Sequence, residues 1–296
     1  MIFVPVVKSF YVLIYGFKLD FYTYFLMSLL GYIAGFIFVT YEVNRRKLKV
    51  KEAIGSFIAA IIGVTVGARF FFYFLPWWSY DRSWTLWERY TRFIDIFGQP
   101  GLVMYGGFVG GLLAVWLYFK LRKIDIWPYL DAYTPAMFVG YSLGRIGCFL
   151  VNDTCRGIAT DLPWGVVRDI GEPAIHPAPI YSTIVALIIF SVLWQIKDKK
   201  HFDGWLFLIG AMAYSSTRFM IEFVRAYSFK LFGFITPSHI ISIIVFSLAL
   251  WIFIRKSKEA RIASQEKSKK IKEVKNSKES KLQAKAKTSK RTRGSN

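Results

Sequence analysis

Three arginines stand inside long apolar stretches of this sequence, where a charged side chain is costly. They are Arg69 in GARFFFYF, Arg145 in GRIGCF and Arg218 in STRFMIEFVR. An ionisable residue at membrane depth is a functional hypothesis by default. The guanidinium group grips phosphate through two parallel N–H donors, so these residues predict a binding site for an anion such as a phosphate ester.

Each arginine also has a simpler explanation. Its stem can lie in the apolar layer while its charge reaches the interface, and Arg218 and Glu222 have the spacing of a helical ion pair. For the three together this explanation is weaker, because Glu222 is the only carboxylate well inside an apolar stretch at their level. The surplus positive charge requires an anionic partner, and in a bilayer that partner is a phospholipid headgroup.

Seven apolar stretches are long enough to carry such residues across a membrane. A hydrocarbon core of about 30 Å is spanned by roughly 20 helical residues. The composition agrees, since 54% of the residues are hydrophobic and 20% are charged, which is more apolar than a soluble domain. The sequence predicts an all-α integral membrane protein with seven transmembrane helices. We place them near residues 21–41, 53–76, 101–121, 130–151, 176–196, 204–227 and 235–254.

Basic residues in the short loops predict the orientation of these helices. Lys and Arg concentrate in loops 42–52, 122–129 and 197–203, whereas loops 77–100 and 152–175 balance their arginines with acidic residues. Cytoplasmic loops carry the excess of Lys and Arg. The N-terminus is therefore predicted outside and the C-terminus in the cytoplasm.

This topology places the three arginines at one depth within a single domain, residues 1–254. Each lies about 6–9 residues before the outer end of its helix, or roughly 9–14 Å at helical rise. Tyr24 and Tyr105, on helices that begin outside, reach a similar level. The sequence thus predicts a phospholipid-binding cavity that opens toward the outer leaflet.

Paired glycines interrupt the third apolar stretch, in MYGGFVGG. Gly106 and Gly110 lie one helical turn apart, a spacing that lets two helices come into close contact. The same glycines, with Gly107, would also let a ligand chain approach the backbone. Both interpretations stay open.

Three flanking segments differ from the apolar stretches. Residues 1–16 are broken by Pro5 and Lys8 and lack the features of a signal peptide, so we expect a surface arm. Residues 77–100 are rich in Trp and Tyr, which is typical of an interfacial segment. Residues 255–296 hold 16 Lys and Arg against 4 acidic residues. This cytoplasmic tail is predicted to be disordered or loosely helical and attracted to anionic lipid. No motif for nucleic acid accompanies its charge, so nucleic acid is not a predicted partner.

Other chemistries leave no signature in the sequence. The three histidines, His176, His201 and His239, lie far apart, and Cys148 and Cys155 have no second pair. Neither a metal site nor a cofactor is predicted, and no nucleotide-binding or serine-hydrolase motif is visible.

The motifs along the chain resemble those of the prolipoprotein diacylglyceryl transferase family. The most specific are GRIGCFLVNDTCRG at 144–157, HPAPIY at 176–181 and RFMIEFVR at 218–225. TYFLMSLLGYIAGF, GARFFF, MYGGFVGG and TDLPWGV agree in order. The resemblance covers about residues 18–254, and the family's architecture of seven spans with the N-terminus outside matches the topology inferred above.

The resemblance also implies a reaction. The family transfers the diacylglyceryl group of phosphatidylglycerol to the lipobox cysteine thiol of a preprolipoprotein. A thioether forms and glycerol phosphate is released, without a metal or a cofactor. The implied location is the bacterial cytoplasmic (inner) membrane, and the implied partners are phosphatidylglycerol, lipobox-containing preprolipoproteins and membrane lipid.

Site residues follow from the family's positions in this sequence. Arg145 and Arg218 would clamp the phosphate and stabilise charge as the glycerol carbon–oxygen bond breaks, while Glu222 would orient an arginine. Asn152 would hydrogen-bond the headgroup or the lipobox backbone. The other substrate-binding candidates are Tyr24, Arg69, Gly106, Gly107, Asp153, Gly157, His176 and Arg225.

The proton-transfer group departs from the family's pattern. Many members have a histidine before the paired glycines, proposed as the base that deprotonates the thiol, and Tyr105 stands there in this chain. An unperturbed phenol titrates near a pH of about 10 and is a poor base. We therefore expect Tyr105 to orient substrate, with the thiol deprotonated at the interface or by Asp153, which stands where a Glu is common.

Proteins of other classes share parts of this pattern. A phospholipid-binding or lipid-moving protein with the same fold but no chemistry is the main alternative. A seven-span receptor would have a central polar pocket with a counter-ion, and a transporter would show internal repeats or paired broken helices. The sequence shows none of these features.

Overall fold

A computed structural model describes residues 2–3, 9–14, 17–74, 84–95, 104–151, 156–168, 171–199, 201–226 and 235–293. Side chains are described from residue 23 onward within these ranges, except at 104, 105, 267 and 270–293.

Helices account for most of the described chain. Seven of them coincide with the apolar stretches of the sequence: α1 (Thr23–Arg45), α2 (Val50–Phe74), α4 (Met104–Arg122), α5 (Trp127–Val151), α6 (Ala178–Ile196), α7 (Trp205–Glu222) and α8 (Pro237–Arg293). The eighth, α3 (Leu86–Ile94), lies in the aromatic segment. Thr85 and Glu88 form a reciprocal capping box that fixes where α3 begins.

Five helices are long and apolar enough to cross a membrane. They are Thr23–Arg45, Val50–Phe74, Trp127–Val151, Ala178–Ile196 and, within α8, Pro237–Glu266. Large apolar side chains such as Ile37, Ile62, Ile188 and Ile244 are more than half exposed, as expected of a surface that faces lipid. The prediction of a multi-pass helical membrane protein is confirmed at this level.

Two buried clusters hold the helices together. The first joins α1, α2, α4 and α5 where their connecting loops meet, through Val43, Ala53, Phe119, Tyr129 and Ala132. The second joins α5, α6 and α7 through Phe138, Ala186, Ile189, Leu193 and Leu206. The site described below lies in α5 and α7, beyond the second cluster along both helices.

Short strands accompany the helices, which the all-α prediction did not include. The predicted arm contains β1 (Ile2–Phe3) and β2 (Ser9–Ile14), and β2 pairs antiparallel with β3 (Phe17–Tyr22). Both hairpin strands are rich in aromatic and β-branched residues, which favour extended backbone. β1 pairs in parallel with β4 (Val166–Val167), so the arm is tied to the loop that follows α5.

The helix α8 continues through the basic tail without a break to Arg293. The high charge and the lack of apolar periodicity predicted a disordered or loosely helical segment. Lys, Glu, Gln and Ala are among the better helix formers, however, and the preceding span supplies a helix that is already nucleated.

Candidate functional site

A buried carboxylate lies between two arginines at the end of α7. Glu222 is fully buried, and its Oε2 lies 2.9 Å from Arg218 Nη2 and 3.6 Å from Arg225 Nη1. Arg218 and Glu222 are neighbours because four residues make about one helical turn. Arg225 follows the end of α7, so its position depends on the backbone beyond the helix.

That backbone is held by the loop that follows α5. Gly157 and Arg225 face each other in an antiparallel bridge, flanked by the hydrogen bonds from Ile158 N to Val224 O and from Ala226 N to Arg156 O, each 2.9 Å. On its other side Gly157 abuts His176, where an added Cβ would lie 2.2 Å from the carbonyl oxygen. Glycine is therefore required there, and three predicted site residues, Gly157, His176 and Arg225, come together.

His176 contributes its backbone more than its ring to this arrangement. Its N–H donates to Ile158 O at 3.0 Å. Its imidazole Nδ1 lies 3.2 Å from the Tyr181 hydroxyl, which also accepts from Trp164 Nε1 at 2.8 Å. In this arrangement His176 supports the loop.

The start of α8 completes the shell around Glu222. The Thr236 hydroxyl donates to Glu222 Oε1 at 2.8 Å, and Arg218 Nη2 donates to the Ser238 hydroxyl at 3.3 Å. Neither residue was predicted from the sequence, because both belong to the start of α8 and are separated from α7 by residues 227–234. The signal that was available is the TPSH string, a typical helix start that follows the last charged motif.

A pair of tyrosines links the arginine of α5 to that of α7. Arg145 Cζ lies 4.7 Å from the centre of the Tyr141 ring, and the Tyr141 and Tyr214 rings meet edge to face at 5.5 Å. Tyr214 is within electrostatic reach of both Arg145 and Arg218. The sequence carried this signal too, because YSLGR and YSSTR both place a tyrosine one turn before the arginine.

A narrow crevice lies beside this cluster, between α5, α6 and α7. Tyr141, Tyr214 and Arg218 line it together with apolar side chains such as Val185 and Ile221. The hydroxyls of Ser182 and Thr217 on its wall donate to carbonyls of their own helices, so the wall is largely apolar. A cationic group beside an apolar crevice suits a lipid with an anionic headgroup.

Tyr24 reaches the same region from α1. Its ring carbon Cδ2 would be 3.4 Å from a Cβ added to Gly147, two residues after Arg145. Close packing of α1 on α5 at this glycine places Tyr24 beside the arginine-bearing turn.

Arg69 contacts the carboxyl end of α3, and its predicted role in substrate binding stays a prediction. Arg69 is buried, and its guanidinium donates to the carbonyl oxygens of Arg92, Phe93 and Asp95 at the end of α3. The last carbonyls of a helix lack partners within the helix. The sequence predicted the position of Arg69 along α2. It did not predict that Arg69 would meet the carbonyl oxygens at the end of α3.

The paired glycines also serve another purpose. A Cβ on Gly106 would lie 2.4 Å from Gly67 O, and one on Gly107 would lie 3.3 Å from Val64 Cγ1. Both glycines face α2, which favours the packing interpretation, and their role in substrate binding stays a prediction. The side chain of Tyr105 and the residues Asn152 and Asp153 lie outside what the structure describes.

The cluster therefore carries more positive than negative charge among its described members. Two arginines share Glu222, and Arg218 Nη1 is a buried donor without a hydrogen-bond partner in the described part of the chain. A buried donor left unsatisfied is costly. The arrangement is suited to receive an anion, and within the described ranges no group of His, Cys, Asp and Glu is placed to hold a metal ion.

Comparison with known proteins points in one direction. Residues 11–255 match the family model described as prolipoprotein diacylglyceryl transferase. A phosphatidylglycerol–prolipoprotein diacylglyceryl transferase of Leptospira interrogans is 30% identical over 230 residues, covering 69% of this chain and 71% of that protein. Proteins of the same name from Campylobacter lari and Clostridioides difficile are each 29% identical, covering 81% and 77% of this chain and 90% and 88% of their own lengths.

Proposed function

Since the chain belongs to the prolipoprotein diacylglyceryl transferase family, we propose that Arg218, Arg225 and Arg145 bind the phosphate of its lipid substrate. The protein is a transferase that moves a diacylglyceryl group from phosphatidylglycerol to prolipoprotein. The cluster around Glu222 is the part of the described structure that is best suited to the anionic headgroup.

One observation carries this assignment. Arg218 lines the crevice and keeps Nη1 as a buried donor without a partner among the described residues. A phosphate oxygen would satisfy that donor and would bring negative charge to two arginines that share one carboxylate. The apolar side chains of α5, α6 and α7 beside the donor then face the glyceryl and acyl part of the lipid.

The bond changes explain why positive charge is needed. The sulfur of the lipobox cysteine, after losing its proton, forms a bond to the glyceryl carbon that carries the phosphate ester. The carbon–oxygen bond breaks, and its electron pair leaves on the phosphate oxygen of glycerol phosphate. The phosphate goes from one negative charge to two, so fixed guanidinium groups stabilise the transition state more than the ground state.

The remaining substrate contacts belong to this proposal. Tyr24 lies beside the Arg145 turn and faces the lipid, while Asn152 hydrogen-bonds the headgroup or the lipobox backbone. Tyr105 orients substrate, and the thiol proton leaves at the interface or to Asp153. Arg69, Gly106 and Gly107 are not assigned to the substrate in this proposal. Arg69 binds the end of α3, and the two glycines pack against α2.

The proposed setting is the bacterial inner membrane, with seven spans. α4 and α7 have 19 and 18 residues, or about 27–29 Å at helical rise, close to the thickness of the hydrocarbon core. They pack along α2 and α8 respectively, and those two helices are among the five long apolar ones. The basic loops then lie in the cytoplasm and the arginine cluster opens toward the outer leaflet.

The test is transfer by purified full-length protein, with phosphatidylglycerol vesicles and a lipobox peptide, read as a mass gain of one diacylglyceryl group. Arg218→Ala should lower the rate on the order of 100-fold, the cost typical of losing one stabilising donor. The transfer rate of Arg218→Lys should lie between those of Arg218→Ala and the wild-type protein. Lysine keeps the positive charge but lacks the two parallel N–H donors of the guanidinium group.

Arg255→Ala is the matched control, because Arg255 is exposed and pairs only with Glu259 among the described residues. It should transfer at the normal rate. Undiminished transfer by Arg218→Ala would refute the phosphate clamp. Lipid binding without any mass gain in the wild-type protein would favour a binding protein instead of an enzyme.

A further inference from the structure

The first turn of α8 is made of buried polar residues that contact the arginine cluster. Thr236 precedes the helix, Pro237 opens it, and Ser238 and His239 follow. Thr236, Ser238 and His239 are between 2% and 7% exposed. Buried polar groups need partners, and two of these three find theirs in Arg218 and Glu222.

Thr236 is itself held in place by His239. The Thr236 N–H donates to His239 Nδ1 at 3.1 Å, and the His239 N–H donates to the Thr236 carbonyl at 3.0 Å. The first of these bonds is one half of a capping box, with histidine where Glu or Gln is usual, and the second is a backbone turn. The His239 ring packs against Phe219 and Phe223, with ring centres 4.9 Å and 4.6 Å apart, so the turn is anchored on α7.

The Thr236 hydroxyl helps to hold the orientation of the Glu222 carboxylate. It donates to Oε1, while Oε2 faces Arg218 at 2.9 Å and Arg225 at 3.6 Å. Without that donor the orientation of the carboxylate is less restricted, and the ion pair that Arg218 makes with it is less well fixed. The position of Arg218 Nη1, a donor with no partner among the described residues, would then vary.

We infer that Thr236 is a positioning residue of the transferase, which acts through Glu222 to hold Arg218 for the departing phosphate. This inference rests on the proposed role of Arg218. Because the hydroxyl is bonded to Glu222, its effect is expected on the rate of the chemical step more than on the binding of phosphatidylglycerol.

The test compares variants of the full-length protein in the transfer assay. Thr236→Val has nearly the same shape but no hydroxyl, and we expect kcat to fall about tenfold with KM for phosphatidylglycerol changed less than about twofold. Thr236→Ser restores the donor and should restore kcat. Thr134→Val is the matched control, because Thr134 is buried and its hydroxyl donates only to Leu130 O among the described residues.

A double-mutant cycle separates positioning from general stability. In a Glu222→Gln background, adding Thr236→Val should lower kcat no further, because the group through which Thr236 acts is already altered. Equal and additive losses in both backgrounds would overturn the inference. So would a normal kcat for Thr236→Val, or a loss that Thr236→Ser fails to restore.

His239 offers a second, independent check. Glutamine can accept from the Thr236 N–H as the histidine does, so His239→Gln should keep most of the activity. His239→Leu cannot accept and should reproduce the kcat loss of Thr236→Val. Equal activity of the two His239 variants contradicts the inference.

The outcomes for the two proposals are distinguishable. If Arg218→Ala transfers normally, the phosphate clamp itself fails. If Arg218→Ala is inactive while Thr236→Val is normal, the clamp stands and only the role of Thr236 is refuted.

Discussion

Glu222 contributes a single negative charge that Arg218 and Arg225 share. A carboxylate paired with one arginine would neutralise it, and the pair would have little attraction left for an anion. Here two arginines approach the same oxygen, so this one carboxylate does not neutralise both of them. Because the carboxylate is fully buried, removing it would take away a counter-ion that the two arginines share, which is costly.

Gly157 provides a test at the scale of one residue. An added methyl group would lie 2.2 Å from the His176 carbonyl oxygen, so Gly157→Ala must push the loop away from Arg225. We expect transfer to fall by at least about tenfold, since displacements of about 1 Å are enough to cost that much.

Gly144→Ala is the control for this substitution. No atom of the described residues outside its own helix backbone lies within 4 Å of a Cβ built there, although Gly144 adjoins Arg145. Similar activity of the Gly157→Ala and Gly144→Ala proteins would show that the loop does not position Arg225.

At the scale of elements, hydropathy predicted where the helices lie along the chain but not which residues of different helices contact each other. The stretch 204–227 correctly contained α7, and Arg218 and Glu222 were recognised as a pair because they share one helix face. Thr236 was missed because its contact with Glu222 depends on how α8 meets α7. Such contacts between helices are set by packing, which no spacing within one helix reveals.

Arg69 is a second residue whose contacts with another element were not predicted from its position in the sequence. Its position along α2 was predicted to be equivalent to those of Arg145 and Arg218. The carboxyl end of α3, a helix in a segment predicted only to be interfacial, accepts its hydrogen bonds. An arginine at membrane depth therefore binds whichever acceptors the fold brings to it.

The contact between α2 and α4 yields a paired prediction. Gly106→Ala places its methyl group 2.4 Å from a backbone oxygen, whereas Gly107→Ala meets only side-chain carbons at 3.3 Å or more and one backbone oxygen at 3.4 Å. Overpacking costs about 1–3 kcal/mol, so Gly106→Ala should lower the unfolding temperature in detergent clearly more than Gly107→Ala. Equal shifts would mean that α2 and α4 separate easily.

For the whole molecule, the distribution of charge predicts the orientation. In a background where Cys148 and Cys155 are replaced by alanine, Lys49→Cys should react with a membrane-impermeant maleimide only from the cytoplasmic side. Trp87→Cys, on the exposed face of α3, should react only from outside, because the basic loop around Lys49 is retained inside. Labelling of both positions from one side would contradict the topology.

The carboxylate shared by two arginines also affects what happens after bond cleavage. Glycerol phosphate carries one more negative charge than the headgroup from which it came, so the cluster holds the product more firmly than the substrate. We expect added glycerol phosphate to act as a competitive inhibitor against phosphatidylglycerol. Inhibition should weaken in Arg218→Lys and at high ionic strength, and an inhibition constant unaffected by both changes would contradict this expectation.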